Sequence, residues 1–497
     1  MTTEQPTDTT TTSVFRPVLW RTLACGVVLA LSLTGEWISR TPFTALPWLE
    51  SIRAGLMTVL RSTETQWEIV ACLMVYFIGF QWLRATVQEH SDWRRPRSLL
   101  LNGFVALATF AYIRNYPDSA GGQDYLTLLT AIVISQGLSL WIAWDRRGYH
   151  PLLSDRVFLR VFALLIAGLA CAHPSVGMTF EYRELARWSG IWRTPNTYGV
   201  LMASAAVISL VSALEATRIA RRWVAAGWIG VLIVTGIGLV GSLSRGAWLG
   251  AALALGWIAL RWTPTFANHA PTWIFSRATM ARLAVIAISA YVIGFWTLRF
   301  SERPLVRRAF TVFNTNDFSW RNRVATIPGS LQMIGERPFL GHGWNRAERI
   351  YTSLYKPDFM TEGAAVTQND FLMLGMTLGA PALLCFLAWI ALALRDAMRR
   401  GVGLPTCRSG EPPGSRQSGR DSAADSDVED IGTGRSETYP TMRLAASAAV
   451  IPLLVGFVFD GLLLKLATAV PFFCLMEIVA STSRRDPPSV EPPGKVE

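Results

Sequence analysis

Arginines in unusual places give the first chemical signal. A polar stretch, 299–370, separates two apolar runs and holds Arg303, Arg307, Arg308, Arg321 and Arg323, then Gly341-His342-Gly343, then Gln368-Asn369-Asp370. Two shorter elements add Arg193, within Trp192-Arg193-Thr194-Pro195-Asn196, and Arg245, within Gly241-Ser242-Leu243-Ser244-Arg245-Gly246. The guanidinium is a planar, permanently charged fork that matches phosphate or carboxylate oxygens two at a time. In a hairpin as short as 241–246, between two apolar segments, Arg245 is held close to the membrane surface. Together these separately placed arginine elements suggest a site for an anionic group near the outer interface. Taken singly, each has a plainer role. Arg245 can snorkel to headgroups, and Arg183 and Arg187 can pair with Glu181 and Glu184. Asn196 after Pro195 can cap a helix, and a loop histidine such as His342 is more often solvated than catalytic.

The elements that must position these groups are membrane helices. Of 497 residues, 51% are hydrophobic and only 16% charged, which is too apolar for an ordinary soluble protein. Many charge-poor windows reach the ~17–25 residues that cross a bilayer. Candidate spans fall near 19–38, 66–83, 98–113, 125–144, 157–172, 197–214, 223–243, 246–261, 283–298, 371–394, 444–463 and 466–481. The expected fold is therefore an all-α polytopic membrane protein with about twelve transmembrane helices and one large extracytoplasmic loop. The expected organisation is a disordered cytoplasmic N-terminus (1–17), a transmembrane core (18–395) with the outer loop 299–370, and a disordered cytoplasmic linker (396–442). Two last transmembrane helices (443–482) and a disordered tail (483–497) follow. The linker is rich in Gly, Ser, Pro and charge and poor in apolar residues, so it cannot bury a core.

Positive residues concentrate in cytoplasmic loops. Arg84, Arg94, Arg95 and Arg97, then Arg146, Arg147 and Arg156, then Arg218, Arg221 and Arg222, then Arg395, Arg399 and Arg400 all fall in alternate gaps. This puts both termini in the cytoplasm and the 299–370 stretch outside it. The gap after the first span fits less well, with Arg40, Arg53 and Arg61 on the outer side. The net charge of +11 is then largely loop arginine, and nucleic acid is not an expected partner. The six cysteines contain no C-x-x-C pair, so neither a disulfide framework nor a metal site is expected.

Four stretches in order resemble the O-antigen ligase and polymerase superfamily of membrane glycosyltransferases. These are Ser189-Gly190-Ile191-Trp192-Arg193-Thr194-Pro195-Asn196, Ser242-Leu243-Ser244-Arg245-Gly246-Ala247-Trp248, Arg321-Asn322-Arg323 continuing to Met333-Ile334 and Arg337-Pro338-Phe339-Leu340-Gly341-His342-Gly343, and Gln368-Asn369-Asp370-Phe371-Leu372. The resemblance covers roughly 175–395. It implies a GT-C-like membrane glycosyltransferase architecture at the inner (plasma) membrane with the active site facing outside the cytoplasm. It also implies a polyprenyl-pyrophosphate-linked glycan donor, a glycan or lipid acceptor, contact with membrane lipids, and no cofactor or metal. Arg193, Arg245, Arg321 and Arg323 would then hold the pyrophosphate, with Asn196, Ser244 and Asn369 in support.

One position departs from the family pattern. Where ligases of the family carry a histidine assigned as general base, this chain has Gln368, and an amide cannot take a proton at neutral pH. The base is then another residue, with His342 and Asp370 nearest in sequence, or deprotonation accompanies departure of the leaving group without a strong base. A polymerase-like or inactive member is the third option. From other classes, a multi-span transporter and a non-catalytic envelope-assembly protein remain as alternatives. A transporter would want ionisable groups at mid-membrane, whereas Glu36, Glu68, Glu215, Asp460 and Glu477 all fall toward span ends.

Overall fold

The computed structural model describes residues 10–40, 47–87, 96–116, 122–145, 153–172, 179–182, 185–192, 194–218, 220–266, 318–358, 369–400 and 439–481. The first half contains α1 (Thr10–Arg40), α2 (Pro47–Arg61), α3 (Thr63–Val87), α4 (Pro96–Arg114), α5 (Gln123–Asp145) and α6 (Leu153–Ala172). A two-stranded hairpin, β1 (Thr179–Tyr182) and β2 (Leu185–Trp188), leads into α7 (Pro195–Arg218), α8 (Arg222–Gly241) and α9 (Arg245–Phe266). Then come α10 (Phe318–Glu336), the short α11 (Ala347–Ile350) running into a π-turn at Tyr351–Tyr355, α12 (Asp370–Leu378), α13 (Ala380–Arg400), α14 (Tyr439–Phe459) and α15 (Leu466–Ser481). Among the described residues, Glu64–Arg84, Pro96–Arg114, Pro195–Thr217, Arg222–Gly241 and Ala380–Met398 are long and apolar enough to cross a membrane, and Thr22–Ile38, Arg443–Phe459 and Leu466–Ala480 are shorter apolar helices. The chain is a mostly helical integral membrane protein. The span expected near 283–298 and the linker within 401–438 lie outside the described residues.

Three local features depart from the all-helix, span-by-span expectation. The gap after α6 contains the antiparallel hairpin, with Thr179 opposite Trp188 and Tyr182 opposite Leu185, so the fold is helical with one small β element. Residues 47–61, expected as a loop, form α2. The expected span 371–394 is broken at Gly379, whose φ is +86°. A side chain there would meet the backbone of Phe339 at 2.6 Å. The break exists because the loop crosses this point, with Ala380 N–H donating to the carbonyl of Pro338 at 2.6 Å.

At the centre stands α7, packed among α6, α8, α9 and α14. Lipid tails are as apolar as the side chains, so membrane helices associate by close fit and interhelical hydrogen bonds. Small residues supply the fit: Ala203 and Ala205 on α7 and Ala445, Ala446, Ala448 and Ala449 on α14 are all buried, and Ser204 Oγ donates to the carbonyl of Ala449 at 2.9 Å. Gly250 of α9 lies so close to Pro452 that an added Cβ would meet its Cα at 2.7 Å. A second knot of rings, Phe386, Trp389, Phe457, Phe472 and Phe473, ties α13 to α14 and α15. This frame holds the connections at one end of the bundle in fixed relative positions.

Candidate active site

The N-terminus of α7 is built by its own sequence. Pro195 takes the first helical position, where its missing N–H costs nothing, and Thr194 caps: its Oγ1 accepts from Thr197 N–H at 3.3 Å. The capping role expected of Asn196 is therefore filled two residues earlier, and the Asn196 amide turns inward. Its Nδ2 donates to Asp460 Oδ1 at 2.6 Å, and its Oδ1 accepts from Arg187 Nη2 at 2.8 Å. Arg187 is buried and also donates through Nε to the carbonyl of Ser242 at 3.1 Å. The hairpin carries Arg187 over the α8–α9 turn; one partner expected for it, Glu184, lies outside the described residues.

That turn is tight. Ser242 Oγ accepts from Ser244 N–H at 3.2 Å, Leu243 sits at φ 49°, and Ser244 Oγ takes Ala247 N–H at 3.4 Å as the cap of α9. Ser244 thus supports the site by fixing the helix on whose first residue Arg245 stands. The next residue, Gly246, faces Asp460, whose Oδ2 would lie 3.0 Å from an added Cβ. Asp460 follows the last residue of α14 and is also reached from α10. Arg323 Nη2 donates to Asp460 Oδ1 at 3.0 Å, and Arg323 Nε to the carbonyl of Phe459 at 2.8 Å. Asp460 thus accepts from α7 and α10 at once and abuts the start of α9.

The α14–α15 connection brings two further charges. Lys465 Nζ donates to Thr197 Oγ1 at 3.3 Å. Asp370, at the start of α12 and ahead of the membrane-length helix α13, accepts from the amides of Leu462 and Leu463 at 2.7 and 2.8 Å through Oδ2. Asp370 is only 2% exposed. Its burial pushes the carboxyl up to about 7, against the pull of the two amides and of Lys465. Asn369 caps α12, its Oδ1 accepting from Leu372 N–H at 3.0 Å.

Asn196 and Arg323 therefore bond the Asp460 carboxylate directly, Ser244 caps the helix that Arg245 begins beside it, and Asp370, on the helix that Asn369 caps, holds the connection that follows Asp460. Arg321 does not share the inward face. It is exposed in the first turns of α10, and two residues at ~100° each turn it away from Arg323. Arg193 and Gln368 lie outside the described residues. His342 belongs to a different contact. Its N–H donates to the carbonyl of Met376 and that of Gly343 to Thr377, while Nε2 lies 3.2 Å from the carbonyl of Met333. Met333 is about 15 Å along α10 from Arg323 by helical rise. Burial holds the imidazole below its usual range despite the Met333 bond. Gly343 must be glycine here, since a Cβ would fall 1.8 Å from Asn115 Nδ2. The Gly341-His342-Gly343 turn clamps the loop onto the end of α12.

Sequence reading missed three members: Arg187, Asp460 and Lys465. The available signals were an Asp-Gly pair closing an apolar run and one of only three lysines in the chain, five residues later.

Two other acids flagged at span ends, Glu215 and Glu477, are held in ion pairs. Glu477 accepts from Arg97 at 2.8 Å and Gln136 at 3.1 Å, with Arg84 at 3.4 Å. Glu215 pairs with Arg156 at 2.9 Å and Arg160 at 3.5 Å. Asn196 and Glu215 are separated by about 28 Å of helix, roughly the thickness of the hydrocarbon layer. The two sets of charges therefore occupy opposite ends of α7.

Residues 230–387 match the family model described as O-antigen ligase. No curated protein matches the chain. The matched stretch runs from within α8 into α13 and contains Arg245, Arg323, His342 and Asp370, while Arg187, Asn196, Asp460 and Lys465 come from its flanks. The match supports assignment of this integral membrane protein to an O-antigen ligase-like family. It supports a role in cell-surface polysaccharide assembly, with lipid-linked glycans as the general class of substrate.

Proposed function

We propose that the chain transfers or polymerises a glycan from a polyprenyl-pyrophosphate donor at the outer face of the inner membrane, with both termini cytoplasmic. The observation that carries this reading is the convergence of Arg187, Arg323 and Lys465, with Arg245 alongside, at one helix end within and beside the O-antigen ligase match. Among the described residues, four cations stand near two carboxylates at this end, a balance that favours an added anion. In the reaction, an acceptor hydroxyl oxygen bonds to the anomeric carbon as the bond to the pyrophosphate oxygen breaks. The leaving group departs as polyprenyl pyrophosphate carrying the electron pair. Arg245 and Arg323 stabilise that charge, and pre-placed donors of this kind contribute about 10²–10³ in rate. Asp460 holds the cations in register. With glutamine at 368, Asp370 is the group best suited to receive the hydroxyl proton. Arg193 would join the pyrophosphate set, and the outer loop would admit the acceptor.

Purified protein given a polyprenyl-pyrophosphate oligosaccharide and an acceptor glycan should release polyprenyl pyrophosphate, and Arg245→Ala should remove that release. An impermeant thiol reagent added to intact spheroplasts should label a cysteine introduced at Asn345 and spare one at Ser426. No turnover with any lipid-linked donor, together with solute flux in vesicles, would replace this reading with a carrier. Labelling at Ser426 alone would reverse the orientation.

A further inference from the structure

α10 is amphipathic the wrong way round for a helix resting on a protein in water. Its buried face carries Asn322, Thr326 and Ser330, at 6%, 4% and 1% exposure, and only Met333 is apolar. The face turned away from the protein carries Trp320, Val324, Ile327 and Leu331, at 41–55% exposure. Their spacing of i, i+4, i+7 and i+11 makes one continuous stripe. A surface helix of a soluble protein buries its apolar stripe, so reversed polarity means that the medium outside is the apolar one.

Depth is fixed independently. Arg323 bonds to Phe459 and Asp460, the last residue of an apolar helix and the one after it, so the second turn of α10 stands level with a helix end. Trp320, Arg321 and Arg323 at that level are the residue types of a membrane–water boundary.

We propose that α10 lies in the outer interface of the bilayer, its Trp320–Leu331 stripe inserted among lipid acyl chains and its polar face closing over the anion-binding end of the bundle. In this position it is the lateral wall between hydrocarbon and the charged site. The occupant of the stripe is bilayer lipid. A solvated outer loop would not keep Trp320, Val324, Ile327 and Leu331 in register on one face, and contiguous apolar surface of this kind marks an interaction site.

The test uses the full chain in phosphatidylcholine–phosphatidylglycerol vesicles, with a genetically encoded fluorescent amino acid at 324, 327 or 331 and a control at exposed Arg349 in the same loop. Brominated phosphatidylcholine should quench the three stripe positions while iodide does not, and iodide should quench position 349. Quenching of the stripe by iodide would show a solvated face. Quenching by neither would show a stripe covered by another segment of this chain or by a second copy. Either result overturns the proposal. The measurement needs neither donor nor acceptor, so its failure leaves the glycan-transfer reading untouched, and failure of transfer leaves this one standing.

Discussion

Replacing Asp460 with asparagine should lower release of polyprenyl pyrophosphate by about 10²-fold or more, the loss associated with removing one pre-placed electrostatic element. The substitution keeps the shape and removes the charge. Asp460 Oδ1 receives both Asn196 Nδ2 at 2.6 Å and Arg323 Nη2 at 3.0 Å; an asparagine carbonyl can still accept there, but Arg323 loses the carboxylate charge opposite it. Arg323 also bonds the carbonyl of Phe459, and the protein should still elute as a folded species. Asp460→Ala is harsher. Breaking a buried pair costs on the order of 3–5 kcal/mol, toward the lower end here because the Arg323 side chain is 22% exposed. A double-mutant cycle with Arg323→Ala separates the roles. If Asp460 acts only by placing Arg323, the double variant is no slower than Arg323→Ala alone. Wild-type turnover by Asp460→Asn, at unchanged thermal stability, would remove Asp460 from the site.

The arginine turn at 241–246 and the helix start at Thr194-Pro195 are legible in the sequence because each depends on neighbours in the chain. Thr194-Pro195 favours a helix start through its own cap and fixed φ, and Ser242-Leu243-Ser244 forms its turn from its own hydroxyls. What joins them is not local. Asp460 is 264 residues from Asn196 and 137 from Arg323, and no spacing rule links positions brought together only when α7, α10 and α14 dock. Taken alone, a carboxylate at a span end reads as an interfacial residue. Arg187 is hidden for a similar reason, since its nearest acids in sequence are Glu181 and Glu184, and only the hairpin's passage over Ser242 redirects it. The break at Gly379 and the burial of His342 are two sides of one contact, made when the loop lies across the end of α12. A histidine between two glycines reads as exposed because the residues that bury it, Met333, Met376 and Thr377, belong to other elements.

Asp370→Asn should slow glycan transfer by about 10²–10⁴-fold, the range for loss of a general base, and should abolish one limb of the pH–rate profile. The unprotonated carboxylate is the form that accepts the hydroxyl proton. With the carboxyl pushed up to about 7, the wild-type rate should rise with pH through that region and level off above it. Stability should run the other way. Burial raises the carboxyl above its ordinary 3.8, so between about 4 and 7 the folded state binds a proton that the unfolded chain releases, and stability declines as pH rises through that window. Asparagine has the carbonyl oxygen needed to accept from Leu462 and Leu463 N–H and has no charge to desolvate. Asp370→Asn should therefore be at least as heat-resistant as wild type at pH 8 while being far slower. The two effects diverge only if the same carboxylate is both strained by burial and used in the reaction. His342→Gln serves as the contrast. His342 is neutral at pH 7 and bonded to Met333 and Met376, so this change should lower stability and leave the midpoint of the pH profile in place. If the midpoint moves with His342 and not with Asp370, the proton acceptor lies in the glycine turn, and the active centre extends along α10 to Met333.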